Sequence, residues 1–425
     1  MNRLWERRNR ALGKGAEYFY DTPIEIVRGE GAYLFDAAGR RYVDLYNNVP
    51  CVGHGNSAVA NAMAKQQGIL NVHNRYLHGG IVDFAERLVG LHHDGIESVV
   101  FSCSGTEANE VALSMARSAT GKRGIVCTDA AYHGSAGLVA TLTSIGSTHT
   151  PNADVCGFPY PDLYRHALLK LSDEELCQRY LEQAAAAIAH LKSSDIGFAG
   201  LIACPIFANE GLPDIPGSFM HRLTALVHRE GGLMISDEVQ SGYCRTGKWW
   251  GYQQENFTPD IVVMGKPMGN GLPLAATAAS RPLVEHFRAA TGYFNTFAST
   301  PLQAAVGMAV LDEIERMGLL NSVNGVGDPL RQALLQRANS HARLGDVRGC
   351  GLFISIEIVV DKKTRQPDST YARQLANKLR QHGCLLSYAG ALDNVVKIRP
   401  PLVFTAEHAG EFLLAFDASL AELDD

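Results

Sequence analysis

The sequence predicts an α/β protein: a mainly parallel central sheet in a large unit, plus a smaller α+β unit built from both ends of the chain. Three observations carry this. From about Val99 onward, short apolar runs alternate with helix-patterned segments, the pattern of strand–helix–strand crossovers covered on both faces. The chain has 425 residues, too many for one simple core and enough for two or three structural units. The chemically distinctive residues fall just after the apolar runs, where sheets of this kind present their ligands.

Taken in order, the stretch TPIEIVRGEGAYLFDAAGRRYVDLY reads as strand–turn–strand, with DAAGRR as a hairpin turn. VVFSC reads as a strand, and TEANEVALSMARSAT as a helix ending at Gly121. GIVCTD, AGLIAC, GLMISDE, DIVVMG and LAATAAS are further strands, with helices between most of them. The Ala-rich LEQAAAAIAHL is a plain helix after the acidic start SDEEL. From about Pro301 a long helix, QAAVGMAVLDEIERMG, opens a C-terminal part that continues as a mixed region with RGCGLFISIEIVV and NVVKIRPPL. The expected division is 1–55 joining the small unit, 56–300 forming the large one, and 301–425 completing the small one.

Composition narrows the function. Apolar residues make up 46% and charged residues 19%, a globular balance. The formal net charge is −6 with no long basic stripe, which argues against nucleic acid and anionic membrane as partners. No apolar run reaches the roughly 18 residues of a membrane helix. The start, MNRLWERRNRALGKGAEYF, lacks the apolar stretch of a secretory signal. Nine cysteines are scattered without CxxC pairs, so a reducing cytoplasm is expected, with neither a disulfide framework nor a zinc site.

Four fragments carry chemistry. In CSGTEANE, a strand ends at Cys103 and a helix begins near Thr106. Free amides at a helix start, with the Ser104 and Thr106 hydroxyls, suit a phosphate, although Ser-Gly-Thr alone is also an ordinary capping sequence. In GLMISDEVQSGYCRTG, Asp237 falls where an apolar strand stops. A carboxylate there can pair with a protonated ring nitrogen and keep the ring able to absorb electrons from a carbanion. Gln240 can reach an oxygen on the same ring, and Glu238 reads as a plain turn acid. In DIVVMGKPMGNGLP, Lys266 lies just past an apolar strand, before Gly and Pro turns. A lysine desolvated beside a cationic ring has a lowered pKa and can form an imine and shuttle a proton. The other ten lysines read as belonging to polar helices, loops or chain ends. In AYHG, Tyr132 can stack on a ring face; His133 lines the site or is structural.

These fragments follow one another as phosphate cradle, aromatic, Asp and Lys, with Asp237 and Lys266 separated by 29 positions. With SGTEANE, YHG, DEVQSGYCRTG, GKPMGNGLP and YFNTF in place, the sequence resembles the class III aminotransferases, of fold type I among pyridoxal-phosphate enzymes, from about Gly29 to the C-terminus. The resemblance implies pyridoxal 5'-phosphate as cofactor and Lys266 as the Schiff-base lysine. It implies Asp237 at the pyridine nitrogen, Val239 packed behind the ring and Gln240 at its phenolic oxygen. Ser104, Gly105 and Thr106 would hold the phosphate, with Tyr132 against the ring. Thr296, in YFNTF, matches a threonine that completes the phosphate site of the neighbouring subunit, which implies an obligatory homodimer; its alternative is a hydroxyl with no ligand.

The flanking pieces YNNVPCVGHG, NVHNRYLHGGIVDFAERL, GYFNTFASTPLQAAVGMAVLDEIE, RGCGLFISIEIV and NVVKIRPPLVFT resemble a subgroup of phospho-lyases acting on phosphoethanolamine or phosphohydroxylysine. A phosphate leaving group needs basic side chains. Arg399, in KIRPP, stands where related aminotransferases hold a substrate carboxylate. Arg75, in HNRYLH, is a second candidate or else an ion-pair residue, and Asn48 could add a neutral hydrogen bond. Many class III aminotransferases carry a Glu before the Pro at the end of the strand that is AGLIAC here; this chain has Cys204-Pro205. Arg399 would then lack a switching partner, unless Glu210 substitutes. The expected reaction is elimination: freed Lys266 takes a proton from the carbon bearing nitrogen, and phosphate leaves the adjacent carbon. Phosphoethanolamine would give acetaldehyde, ammonia and phosphate with no 2-oxo acid consumed. The alternatives are an omega-aminotransferase using an acceptor such as pyruvate, or a non-catalytic homologue. The departure of GHGNS from the family's usual GHxHP has no reading from sequence.

Overall fold

The structure is a computed structural model and describes residues 3–15, 18–144 and 152–424. Strands β1 (Ile26–Glu30), β2 (Tyr33–Asp36) and β3 (Arg41–Asp44) form an antiparallel meander. DAAGRR makes the expected turn: Asp36 Oδ1 accepts from Ala38 N and Arg40 N at 2.9 Å each, and Gly39 takes a φ of 83°, which a side chain would resist.

The central sheet holds β4 (Ser98–Ser102), β5 (Gly124–Thr128), β6 (Val155–Phe158), β7 (Phe198–Ala203), β8 (Leu233–Asp237), β9 (Ile261–Met264) and β10 (Ala275–Ala279) in the spatial order β4-β10-β9-β8-β7-β5-β6. Alternate side chains enter separate cores, as a period of two demands. Ile261 and Val263 pack in one core with residues of the helix Gly105–Thr120. Val262 and Met264 pack in the other with residues of the helices Asp173–Lys192 and Phe219–Arg229. Only β10 runs antiparallel to its neighbours. The connection from β9 is one 3-10 turn, Lys266–Gly269, and a short loop; a parallel return would need a crossover of a dozen residues or more. The sequence reading located every strand of this sheet to within about a residue except β6. That edge strand, VCGF, is short and carries Gly157, where a Cβ would stand 2.2 Å from Asp129 Oδ1.

Both ends of the chain interlock. β11 (Leu344–Cys350), β12 (Phe353–Asp361), β15 (Ser387–Ala389) and β16 (Val395–Ile398) form a sheet in the order β11-β12-β16-β15, with β13 (Gln366–Pro367) on β12; β14 (Cys384–Leu385) pairs in parallel with β3. Residues 45–53 then tie this part to the central sheet. Arg399 N donates to Leu45 O at 2.8 Å and Leu402 N to Cys51 O at 2.8 Å. Val52 N donates to Asn270 Oδ1 and Asn270 Nδ2 to Gly53 O, both at 3.0 Å, just past the turn that carries Lys266. GHGNS closes the same segment: His54 Nε2 meets Asp44 Oδ2 at 2.7 Å, and Asn56 caps the helix Ser57–Gln67 while bonding Glu313.

Two expectations need correction. The region after the Pro301 helix is not mixed from the start but opens with a 22-residue helix, Leu319–Ser340. Gly325, Gly327 and Pro329 hide it, because an interior proline is unfavourable by about 3 kcal/mol in isolation; burial of Val323, Leu330 and Leu334 offsets that cost. Lys397 is not a surface lysine but sits inside β16 at 3% exposure.

The two glycines of that helix give a matched test. A Cβ on Gly327 would lie 2.0 Å from Gly351 O, whereas one on Gly325 meets nothing within 4 Å. Gly327→Ala is expected to destabilise by about 1–3 kcal/mol and Gly325→Ala to stabilise by roughly 0.4–1 kcal/mol. Urea unfolding of both reads this directly, and equal midpoints would show that the close approach is absent.

Candidate active site

The carboxyl ends of β4, β5, β7, β8 and β9 open onto one cleft with about 510 Å³ of free space, lined by Gly105, Tyr132, Cys204, Asp237, Gln240 and Lys266 among others. Asp237 is the last residue of β8 and is 5% exposed. His133 Nδ1 lies 2.7 Å from its Oδ2, Asn109 Nδ2 donates to the same oxygen at 3.0 Å, and Val239 N donates to Oδ1 at 3.0 Å. Burial by itself would raise this carboxyl; the His133 contact and the two other hydrogen bonds outweigh it and hold the pKa below the ordinary value. His133 Nε2 has no partner among the described residues, so the ring proton belongs on Nδ1, facing the carboxylate.

The helix Gly105–Thr120 starts at the cleft with Ser104 as N-cap, whose hydroxyl accepts from Glu107 N at 3.2 Å. Ala108 N bonds Ser104 O. The amides of Gly105 and Thr106 have no acceptor among the described residues and face the cleft end of the helix. A Cβ on Gly105 would stand 3.2 Å from the Val239 methyls, tighter than ordinary packing; Gly265 approaches the same point, its Cβ position in ordinary contact 3.4 Å from Gly105 Cα. This close packing brings the helix start beside Lys266.

Lys266 follows β9 with a backbone φ of 20°, the kind of strain found at functional positions. Burial and then the charge of Arg399 lower its pKa, while Asp237 and Cys204 raise it; the net direction is down. Arg399 is pinned by neutral groups: it donates to Gln240 Oε1 and its guanidinium lies 4.4 Å from the Tyr46 ring centroid. Its Nε has no partner among the described residues, and neither does Nδ2 of Asn48, which is 5% exposed. Glu210 is engaged elsewhere, by Thr128 Oγ1 and Asn209 N. Glu238 is not a turn acid: it is buried and accepts from Ser236, Ser241, Gly251 N and Tyr252 N at 2.6–3.0 Å.

The cleft therefore gathers Gly105, Thr106, Tyr132, Asp237, Val239, Gln240 and Lys266, with Ser104 at its edge and Arg399 bonded to its wall. It does not gather Arg75 or Thr296. Both are exposed, and Arg75 stacks on Phe294, 4.1 Å from the ring centroid, two residues before Thr296. Sequence reasoning missed Asn109, Asn209 and Lys397. Asn109 could have been found, lying one helical turn beyond Gly105 on the same face; Asn209 and Lys397 carried no local signal. The arrangement can hold an anion at the helix start, a cation beside Asp237 and a carbonyl carbon at Lys266.

Residues 16–420 match the family model described as Aminotransferase class-III. A Drosophila melanogaster protein named alanine–glyoxylate aminotransferase 2-like is 35% identical over 96% of this chain and 85% of its own length. A Caenorhabditis elegans protein named ethanolamine-phosphate phospho-lyase homolog 1 is 33% identical over 98% of this chain and 93% of its own. Among solved structures, an Arthrobacter phospholyase in complex with phosphoethanolamine superposes with a TM-score of 0.95 at 39% identity, covering 98% of this chain and 99% of that one. An omega transaminase from Pseudomonas jessenii in complex with PMP gives 0.89 at 25% identity over 98% and 97%. Fold and sequence together define an enzyme of fold type I, the class that depends on pyridoxal phosphate. More narrowly, the chain belongs to the class III aminotransferase family.

Because Arg399 lowers the Lys266 pKa, Arg399→Met is expected to move the pH profile of Lys266 modification by an amine reagent to higher pH. Mass spectrometry of the labelled peptide reads the profile; an unmoved curve would leave burial as the whole cause.

Proposed function

We propose that the protein is a phospho-lyase that eliminates phosphate and ammonia from a phosphorylated amine, phosphoethanolamine before longer phosphorylated amino acids. The carrying observation is charge. Arg399 has Gln240 and the Tyr46 ring as partners, and Cys204 stands at the end of β7 where many relatives carry an acid. The cleft wall at Arg399 therefore keeps a positive charge without a switching carboxylate. That suits a phosphate dianion throughout one reaction, whereas a transaminase must also admit a differently charged second substrate. The likeness to the Arthrobacter phospholyase with phosphoethanolamine supports the same reading.

The residues fit pyridoxal phosphate. The Gly105 and Thr106 amides and Ser104 suit its phosphate, Tyr132 its ring face and Val239 the opposite face. Asp237, held ionised, suits its ring nitrogen, Gln240 its ring oxygen, and Lys266 its aldehyde. When bound there, the cofactor supplies an electron sink for the carbon that bears the amine. Lys266 Nζ, with its lowered pKa, accepts the proton from that carbon. Asp237 keeps the ring nitrogen protonated through its pairing with His133 and Asn109. Arg399 and Asn48 hold the phosphate until it leaves the adjacent carbon. Loss of phosphate leaves an enamine, which water hydrolyses, so phosphoethanolamine and water give acetaldehyde, ammonia and inorganic phosphate.

A homodimer belongs to this proposal. Tyr76, Leu77, Phe294 and Phe297 are exposed, Leu77 at 102% and Phe297 at 74%, on the surface that carries Arg75 and Thr296. Such a patch suits a second copy, to which Thr296 would bring a phosphate contact and Arg75 a substrate contact. We propose the boundaries 1–55, 56–300 and 301–425 for the small, large and small parts, and a cytoplasmic setting consistent with nine free cysteines. No helix among the described residues is long and apolar enough to cross a membrane.

Enzyme mixed with phosphoethanolamine and no oxo acid is expected to release free phosphate; release only with pyruvate, or none, rules the lyase out in favour of an omega-aminotransferase or another substrate. Lys266→Ala is expected to lower turnover by about 10²–10⁴-fold and abolish borohydride-reducible attachment. Phe297→Asp is expected to shift the protein to monomer by light scattering with loss of activity; an active monomer would refute a shared site.

A further inference from the structure

Between β7 and the helix Phe219–Arg229 the chain makes a loop, residues 204–214, along the wall of the cleft. Its backbone is unusual: Phe207 and Leu212 take φ values of 47° and 52°, a region L side chains rarely adopt. Buried charged groups pin it. Lys397 Nζ donates to Ala208 O. The Glu210 carboxylate accepts from Thr128 Oγ1 and from Asn209 N at 3.1 Å. Arg348, 2% exposed, donates to Leu212 O at 3.0 Å and Gly211 O at 3.3 Å. Arg348 is itself paired with Glu357 and Asp346, and the loop backbone that these groups fix on both sides carries Asn209.

Asn209 sits in the middle of a hydrogen-bond chain with one possible polarity. Its Nδ2 donates to Tyr132 O at 3.1 Å, its Oδ1 accepts from Gln240 Nε2 at 2.8 Å, and Gln240 Oε1 accepts from Arg399. The Tyr132 carbonyl can only accept and the guanidinium can only donate. The two ends therefore dictate the orientation of both amides between them. Gln240 is left with its second Nε2 hydrogen as the group it can offer the cleft. Arg399 and Asn209 are the two side chains that hold the Gln240 amide in this orientation.

We infer that Asn209 is a positioning residue: it fixes the Gln240 amide so that an N–H, not a carbonyl, faces the ring oxygen of the cofactor, and it joins the anion-binding Arg399 to the Tyr132 backbone through one directional chain. This rests on the reading that Lys266 carries pyridoxal phosphate with Gln240 at its ring oxygen.

The test uses the holoenzyme and its visible absorbance band as a function of pH. A donor at the ring oxygen drains charge from it and weakens its hold on the neighbouring proton. Loss of that donor therefore raises the pH at which the band changes. Gln240→Met is expected to raise the midpoint, Asn209→Ala to raise it in the same direction, and the double variant to go no further than Gln240→Met alone. The KM for phosphoethanolamine is expected to rise in Asn209→Ala, because Arg399 loses its oriented partner. Asn209→Ser serves the same comparison should the alanine variant fold poorly. A normal wild-type band with an unmoved Asn209→Ala midpoint, or additive shifts in the double variant, overturns the inference alone. A wild-type protein with no pH-dependent visible band in pyridoxal phosphate overturns the cofactor reading and the inference together.

Discussion

A carboxylate buried at the end of a strand must be kept ionised, and much of the cleft follows from that demand. Leaving Asp237 without partners would cost several kcal/mol or drive it to its neutral form. His133, Asn109 and the Val239 amide prevent this. Asn109 lies one turn into a helix whose start packs close against Val239 and Gly265, where a side chain on Gly105 would be tight. The same closeness puts the positive end of the helix beside Lys266. One electrostatic requirement thus draws together a helix start, an asparagine and a histidine.

The second organising feature is the buried Arg399 guanidinium on the opposite wall. Arg399 and Lys397 lie two residues apart in sequence, at and just beyond the end of β16, and burial lowers the pKa of both. Glu210, whose own carboxyl is pushed up by burial, is committed to Thr128 and its own loop. Neutral groups, Gln240 and the Tyr46 ring, do the orienting of Arg399 instead. A wall organised this way discriminates by charge: an anionic group is rewarded and a neutral alkyl group strands the guanidinium.

Much of this was legible in the sequence. Strands buried on both faces stand out as apolar runs, and residues such as Asp237 and Lys266 stand out because they interrupt such runs at their ends. The ring-binding half of the site could be read because each member sits at a strand end or a helix start. What stayed hidden depends on contacts distant along the chain. Asn209 gains meaning only from Tyr132 and Gln240, Lys397 only from the loop at Ala208, and Arg75 only from Phe294. The long helix after Gly318 was hidden for a different reason: its glycine at 327 answers to a neighbouring turn rather than to helix propensity. Glu238 shows the converse error, a residue read as a plain turn acid that turns out to accept from four donors.

The segment 45–53 bonds Arg399 at one end, through Leu45, and Leu402 and Asn270 at the other, through Cys51, Val52 and Gly53. The strand end that carries Arg399 and the turn that carries Lys266 are therefore joined through one segment, although they lie more than a hundred residues apart in the chain. Remodelling on the Arg399 side therefore acts on a segment that is also bonded next to the Lys266 turn. Enlarging the cavity for bulkier molecules and keeping proton transfer in register are thus coupled demands on a single short stretch of backbone.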